Sequence, residues 1–311
     1  MKYKIIALLT LFFLLTSCTT PKSQSPSIIT SKIEATKTPY TPQPTLAPEK
    51  VGYEDLEKEI NNLISQRSGE EYSVYVKNLN TNTYFSINDH AMYSASLIKL
   101  FIMSAIYEKI SMGELEYSDH IKDMLRIMIE ESDNDAANEL VTILGNGNID
   151  AGFDVENEIS QKFGCTMTKQ QTGLQDVRTH PAKGRNYTSS SDCAKILELI
   201  YRNEFINETY SNDALFFLKS QVHTYKIPYV LPKDTVTANK TGEMTGVQND
   251  VAIVYTPNCD YILAVMGNGI SNESSGISMI QTISSTVYNY MTALNTPLPS
   301  PTPIAFYQIL K

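Results

Sequence analysis

Residues 94–100 read S-A-S-L-I-K-L. Ser96 is followed three positions later by Lys99, amid apolar Leu97, Ile98, Leu100, Phe101, Ile102 and Met103. On a helix, residues three apart share a face at about 5–6 Å between Cβ atoms, so Lys99 is expected one turn beyond Ser96. A serine hydroxyl is a poor nucleophile until a neighbouring base takes its proton. A lysine becomes that base when desolvation or a second cation lowers its pKa. A serine at a helix N-terminus also offers a backbone N–H at the positive end of the dipole, half of an oxyanion hole. Alone the pattern is weak, because a Ser-x-x-Lys arises about once by chance at this composition. The ordinary alternative is a lysine that lays its stem along the core and its head in water. This is the single Ser-x-x-Lys in the chain, and a lysine in so apolar a run needs polar partners.

Two segments offer them. Ser132-Asp133-Asn134 falls in a polar break between two helical patterns. A short polar loop pinned by packed helices is a good mount for side chains that face a cleft, although all three residues are also strong helix caps. Lys240-Thr241-Gly242 precedes the last hairpin; by itself it reads as an edge-strand charge followed by a turn glycine.

The surrounding pattern sets the frame. Leu56, Ile60, Leu63 and Ile64 share a helical face, and alternating Tyr72, Val74 and Val76 then lead through N-L-N-T-N into T-Y-F-S-I-N, a hairpin. The middle is helical, with Ile121, Met124, Leu125, Met128 and Ile129 before the polar break and Ala136, Ala137, Leu140, Val141 and Leu144 after it. V-A-I-V-Y-T and Y-I-L-A-V-M flank P-N-C-D as a second hairpin, and Ile277, Ile280, Ile283, Val287, Met291 and Leu294 mark a final helix. Strands at both ends with helices between predict an α/β fold of the α+β kind. One antiparallel sheet is built from both chain ends, with an inserted helical lobe and a catalytic cleft between.

The chain has 311 residues, 42% hydrophobic and 19% charged, enough for a sizeable core. Its net charge of -9, without a dense Lys/Arg block, argues against nucleic acid as a partner. Residues 1–17 read as a signal peptide: a basic start, an apolar run from Ile5 to Leu15 too short for a comfortable span, then Leu15-Thr16-Ser17-Cys18. The last four resemble the lipobox of bacterial lipoproteins, which implies lipid on Cys18 and an extracytoplasmic, membrane-anchored protein. Residues 18–50 hold six of the fourteen prolines with little apolar content and read as an extended tether. The folded domain is expected over 51–296, and residues 297–311 form a Pro-rich tail. Cys165, Cys193 and Cys259 are odd in number and read first as buried small hydrophobes, with one disulfide as the lesser option. The four histidines (90, 120, 180 and 223) show no zincin spacing. There is no Gly-x-Ser-x-Gly elbow or phosphate loop, so no metal or cofactor is expected.

Ser-x-x-Lys, Ser-Asp-Asn and Lys-Thr-Gly, in that order, make the chain resemble the penicillin-recognising serine hydrolases, most closely their class A β-lactamase-like branch. E-S-D-N-D-A-A-N-E-L, A-N-K-T-G-E and N-Y-T-S-S-S-D-C-A-K-I-L are the nearest local matches. The resemblance implies Ser96 as the acylated nucleophile, Lys99 as its activator and Ser132 as the proton relay to the leaving nitrogen. It implies Asn134, Lys240, Thr241, Gly242 and Glu243 around the substrate, with the backbone N–H groups of Ser96 and Glu243 as the oxyanion hole. It further implies a β-lactam or D-Ala-D-Ala-like partner, and a monomer is expected.

Three departures stand out. Lys99 and Ser132 are closer in sequence than in class A enzymes, which predicts a trimmed lobe. Where the family carries an Ω-loop glutamate that holds the deacylating water, residues 171–188 contain none; Asp176 or His180 are the substitutes at hand. The family's arginine after Lys-Thr-Gly is also missing from G-V-Q-N-D-V-A-I-V-Y; Lys226 could approach from the opposite wall, although an exposed surface lysine is the plainer reading. Acylation with slow deacylation is the expected outcome. A D,D-peptidase-like cell-wall hydrolase and a non-catalytic surface lipoprotein are the alternatives.

Overall fold

The computed structural model describes residues 52–174 and 185–293. The expected signal peptide, tether and tail lie outside the described residues, as do Cys18, Asp176 and His180.

Five antiparallel strands form the main sheet. β1 (Glu71–Asn78) and β2 (Tyr84–Ile87) come from the N-terminal side, and β5 (Thr237–Met244), β6 (Val247–Val254) and β7 (Tyr261–Asn268) from the C-terminal side. Their order is β2-β1-β7-β6-β5, so the two chain ends meet where Glu71 pairs with Asn268 and Asn78 with Tyr261. Side chains alternate between faces with period two. Val74, Val76, Leu263, Val265, Ala252 and Val254 pack against α1 (Glu54–Ser65) and α8 (Glu273–Ala293), which present Leu56, Ile60, Ile64, Ile280, Ile283 and Val287. The intervening residues Ile262, Ala264, Met266, Val251 and Ile253 face the helical lobe.

That lobe comprises α2 (Lys99–Ser111), α3 (Asp119–Glu130), α4 (Asn134–Leu144), α5 (Ile149–Lys162), α6 (Ser190–Tyr201) and α7 (Glu208–Lys219). α2 is buried on nearly every side, from Lys99 to Ile110, so it carries no polar stripe. The other helices start where short polar side chains satisfy a free N–H: Ser118 accepts from Ile121 N, Asp133 from Ala136 N, Ser189 from Asp192 N and Asn207 from Tyr210 N. A two-residue pair, β3 (Met92–Tyr93) with β4 (Tyr187–Thr188), lies beside the lobe and carries no legible period.

Three expectations need correction. Ser96 is not on the helix of Lys99: it sits in a 3₁₀ turn over Ala95–Ile98, and α2 begins at Lys99. Lys240-Thr241-Gly242 lies inside β5, and Gly242 makes no turn. Lys226 is fully buried rather than a surface lysine. Cys165, Cys193 and Cys259 are buried and unbridged.

Candidate active site

Three elements converge on one point: the 3₁₀ turn before α2, the α3–α4 turn and the outer strand β5. Lys99 Nζ is 3.2 Å from Ser96 Oγ, 3.3 Å from Ser132 Oγ and 2.8 Å from Asn134 Oδ1, and it also donates to Ser132 O. Lys240 Nζ reaches across from β5 to Ser132 Oγ at 2.8 Å and to Thr241 O at 3.0 Å. Both lysines are fully buried, whereas Ser96 and Ser132 are half-buried and open to a partner.

The two serine-bearing turns are held in an uncommon backbone conformation. Ser132 has φ +60° and Ala95 has φ +45°, a region that costs a non-glycine residue about 1–3 kcal/mol. Around Ser132 the conformation is imposed by Asp133, which caps α4 through Ala136 N at 2.7 Å, and by Lys99, which grips residues on either side of that cap. Asp133 is thus a helix cap, and Ser132 and Asn134 are left to face Lys99.

The 3₁₀ turn is fastened to the sheet by Asn249 on β6. Its Nδ2 donates to Tyr93 O at 3.0 Å and Ser94 O at 3.1 Å, while its Oδ1 accepts from Gly267 N at 3.1 Å. A buried amide is tolerated where both ends are satisfied in this way. Gly242 permits the close approach of β5: a Cβ there would stand 2.8 Å from Ser94 O and 3.2 Å from Leu97 N. The requirement is space rather than a special φ. Asn249 and neighbouring Asp250 went unremarked in the sequence, although a polar pair inside V-Q-N-D-V-A-I-V is the signal that marks them.

Burial lowers the Lys99 pKa to about 7, with Asp133 opposing. Burial is also the first cause at Lys240, where it acts with repulsion from Lys99 and holds the amine well below its usual value. Of the two causes open to Lys99, desolvation is the one at work, and the repulsion between the lysines is felt at Lys240. A buried amine that is partly neutral near pH 7 and touches two hydroxyls can take a proton from one and pass it to the other.

Lys226 lies at the far end of β5. It donates to Asn249 O at 3.0 Å and pairs with Glu243 Oε1 at 3.0 Å. The described base of the expected Ω-loop is clamped: Asn186 Oδ1 accepts from Gln171 N and Thr172 N, and Asn138 on α4 bonds both N and O of Leu174. His90 and His120 are exposed and paired with Glu71 and Glu139, as surface histidines.

An antiparallel sheet with a helical lobe, and at their seam two serines bridged by buried Lys99 with buried Lys240 on the second, define a serine hydrolase of the β-lactamase type. The chain belongs to the beta-lactamase enzyme family, whose model matches residues 55–291. No curated protein matches it. Among solved structures, PBP-A is similar at 23% identity over 77% of this chain and 96% of its own, with a TM-score of 0.68. The beta-lactamase of Sphaerobacter thermophilus is similar at 19% identity over 79% and 100%, with a TM-score of 0.67. A class A beta-lactamase representative from Bacteroides cellulosilyticus is similar at 18% identity over 77% and 98%, with a TM-score of 0.67. At these identities the three share the fold.

Proposed function

We propose that β-lactams acylate Ser96 and that the resulting ester is released slowly. The contact of Lys99 Nζ with Ser96 Oγ at 3.2 Å, made by a buried amine with a pKa near 7, carries this reading. As Ser96 Oγ bonds the lactam carbonyl carbon, its proton passes to Lys99. Ser132, in contact with both lysines, hands a proton to the ring nitrogen as the C–N bond breaks, and Lys99 reprotonates Ser132. The N–H groups of Ser96 and Glu243 receive the oxyanion, while Lys240 and Thr241 hold the substrate's carboxylate and Asn134 its side-chain amide. Hydrolysis of the ester needs a positioned base for water. Residues 171–188 lack the glutamate that would serve, which supports a long-lived acyl-enzyme.

Intact-mass spectrometry after incubation with benzylpenicillin tests this. Wild type gains one adduct that decays slowly, and Ser96→Ala gains none. Nitrocefin gives a burst followed by a slow phase; steady turnover in the hundreds per second would overturn the slow-release half of the reading.

A D,D-peptidase-like role is the second reading, favoured by the same missing glutamate. A PBP-A variant has been solved as an acyl-enzyme complex with penicillin G, the kind of species expected here. A persistent adduct together with release of terminal D-Ala from a D-Ala-D-Ala peptide supports it; no adduct at all leaves a non-catalytic binding protein.

The lipobox-like Leu15-Thr16-Ser17-Cys18 supports placement of this enzyme outside the cytoplasm, with lipid on Cys18 and residues 18–50 as spacer. Processing should be blocked by globomycin and by Cys18→Ala; processing indifferent to both would refute the anchor.

A further inference from the structure

Thr241 and Glu243 are two apart on β5, so their side chains leave the strand on one face. On the acyl-enzyme reading, which this inference rests on, that face receives the substrate's carboxylate. It already holds a carboxylate of its own. Glu243 Oε1 stands 3.0 Å from Lys226 Nζ and accepts a hydrogen bond from the Tyr225 hydroxyl. Lys226 is fully buried and cannot swing to water, being tied to Asn249 O at 3.0 Å beside Asp250. Asp250 is itself committed, accepting from Ile227 N at 2.8 Å and Asn239 Nδ2 at 3.1 Å. The Glu243 side chain, in contrast, is 40% exposed. Burial disfavours its charge, but Lys226, Tyr225 and His223 outweigh that and keep the carboxyl below its ordinary range. One anion is therefore built in at the mouth of the anion-receiving end, supported by a cation that no other part of the proposed reaction uses.

We propose that Glu243 is a specificity-determining residue: its carboxylate occupies Lys226, so the site favours acyl donors with no carboxylate beside the scissile bond, esters and neutral amides, over donors that carry one. An incoming carboxylate must either sit next to Glu243, at the cost of like-charge repulsion, or displace it from Lys226 and leave it unpaired. A neutral donor meets neither obstacle. The class of substrate is thus an acyl donor with an uncharged leaving end, and β-lactams, which carry a ring carboxylate, are handicapped acylating agents of this particular site.

The test compares benzylpenicillin with its methyl ester on the purified full chain. The two probes differ in that one charge, and the readout is the second-order rate of adduct formation at Ser96 by intact mass. Glu243→Gln should raise the ratio of the acid's rate to the ester's about tenfold. Glu243→Ala should follow it, because the side chain is exposed enough to be replaced without disturbing the core. Lys226→Met in the Glu243→Gln background should remove the gain for the acid alone, since the freed ammonium is what the acid then reaches. Adducts on Ser96 whose rates for acid and ester change together, or not at all, would overturn the inference while leaving the acylation mechanism intact. No adduct from either probe in wild type would overturn the acylation mechanism and this inference with it.

Discussion

Lys240 and Ser132 are 108 positions apart in sequence, and Lys240 Nζ lies 2.8 Å from Ser132 Oγ. This contact joins the C-terminal strands to the helical lobe at the point where Lys99 also touches Ser132. On the proposed mechanism it makes a helix-capping segment part of a proton path. Removing the hydroxyl should stop proton delivery to the leaving nitrogen while the nucleophile and its base stay in place. Ser132→Ala is therefore expected to slow acylation by roughly 10²–10⁴-fold, the usual worth of positioned acid–base catalysis. Stopped-flow measurement of nitrocefin ring opening checks it, and a loss below tenfold would remove Ser132 from the path.

Lys99 must be neutral to accept a proton, and burial brings its pKa to about 7. The acylation rate should thus rise with pH through about 7 and level off above it. Asp250, which burial raises to about 7, titrates in the same range. Asp250→Asn should keep the rise, whereas Lys99→Arg, whose guanidinium cannot act as base, should abolish acylation at every pH.

Gly242 is required for space. A Cβ there meets Ser94 O at 2.8 Å and Leu97 N at 3.2 Å, both backbone atoms that cannot rotate away. Gly242→Ala should push β5 from the 3₁₀ turn, destabilise the fold by about 1–3 kcal/mol and slow acylation as well. Urea unfolding read beside the adduct rate measures both; an unchanged unfolding midpoint would show that the strand can shift freely.

Glu156 on α5 is fully buried; its Oε1 accepts from Ser160 Oγ at 2.9 Å, and its Oε2 has no hydrogen-bond partner among the described residues. Burial raises its pKa from 4.5 to about 8, with Ser160 opposing. The folded state then holds a proton that the unfolded state has released, so stability from this group is present below pH 4.5 and lost as pH rises through 8. Glu156→Gln cannot ionise. Its unfolding free energy should gain on that of wild type between pH 5 and 8 and run parallel above. Equal pH slopes for the two proteins would contradict the assignment.

Much of this molecule was legible from local pattern. The α1 face of Leu56, Ile60 and Ile64, the alternation in β1, the short apolar run of β7 and the polar break at 131–134 are set by near neighbours in sequence, and they appear where period and composition place them. Ser96, Lys99, Ser132, Asn134 and Lys240 were legible as a motif set, and the structure brings them within hydrogen-bond reach of one another. The 3₁₀ turn at Ala95–Ile98 was not legible, because the apolar run from Leu97 onward is buried on nearly every side and has no period to distinguish one helix type from another. β3 and β4, two residues each, are held by pairing across about ninety-five positions rather than by propensity.

The sequence alone determined which chemical groups are present and in what order: a serine three residues before a lysine, Ser-Asp-Asn in a polar break and Lys-Thr-Gly near the last strands. The tertiary structure decided their charge and their partners. Lys99 has a pKa near 7 because packing around α2 removes water from its amine, a property of all its neighbours together. Lys226, read from sequence as a surface residue, is enclosed against Asn249 and paired with Glu243, and only the fold of the 223–227 segment across β5 and β6 puts it there. Residue types are written locally; desolvation and ion pairing depend on what lies across space, and that is settled when the chain ends meet in one sheet.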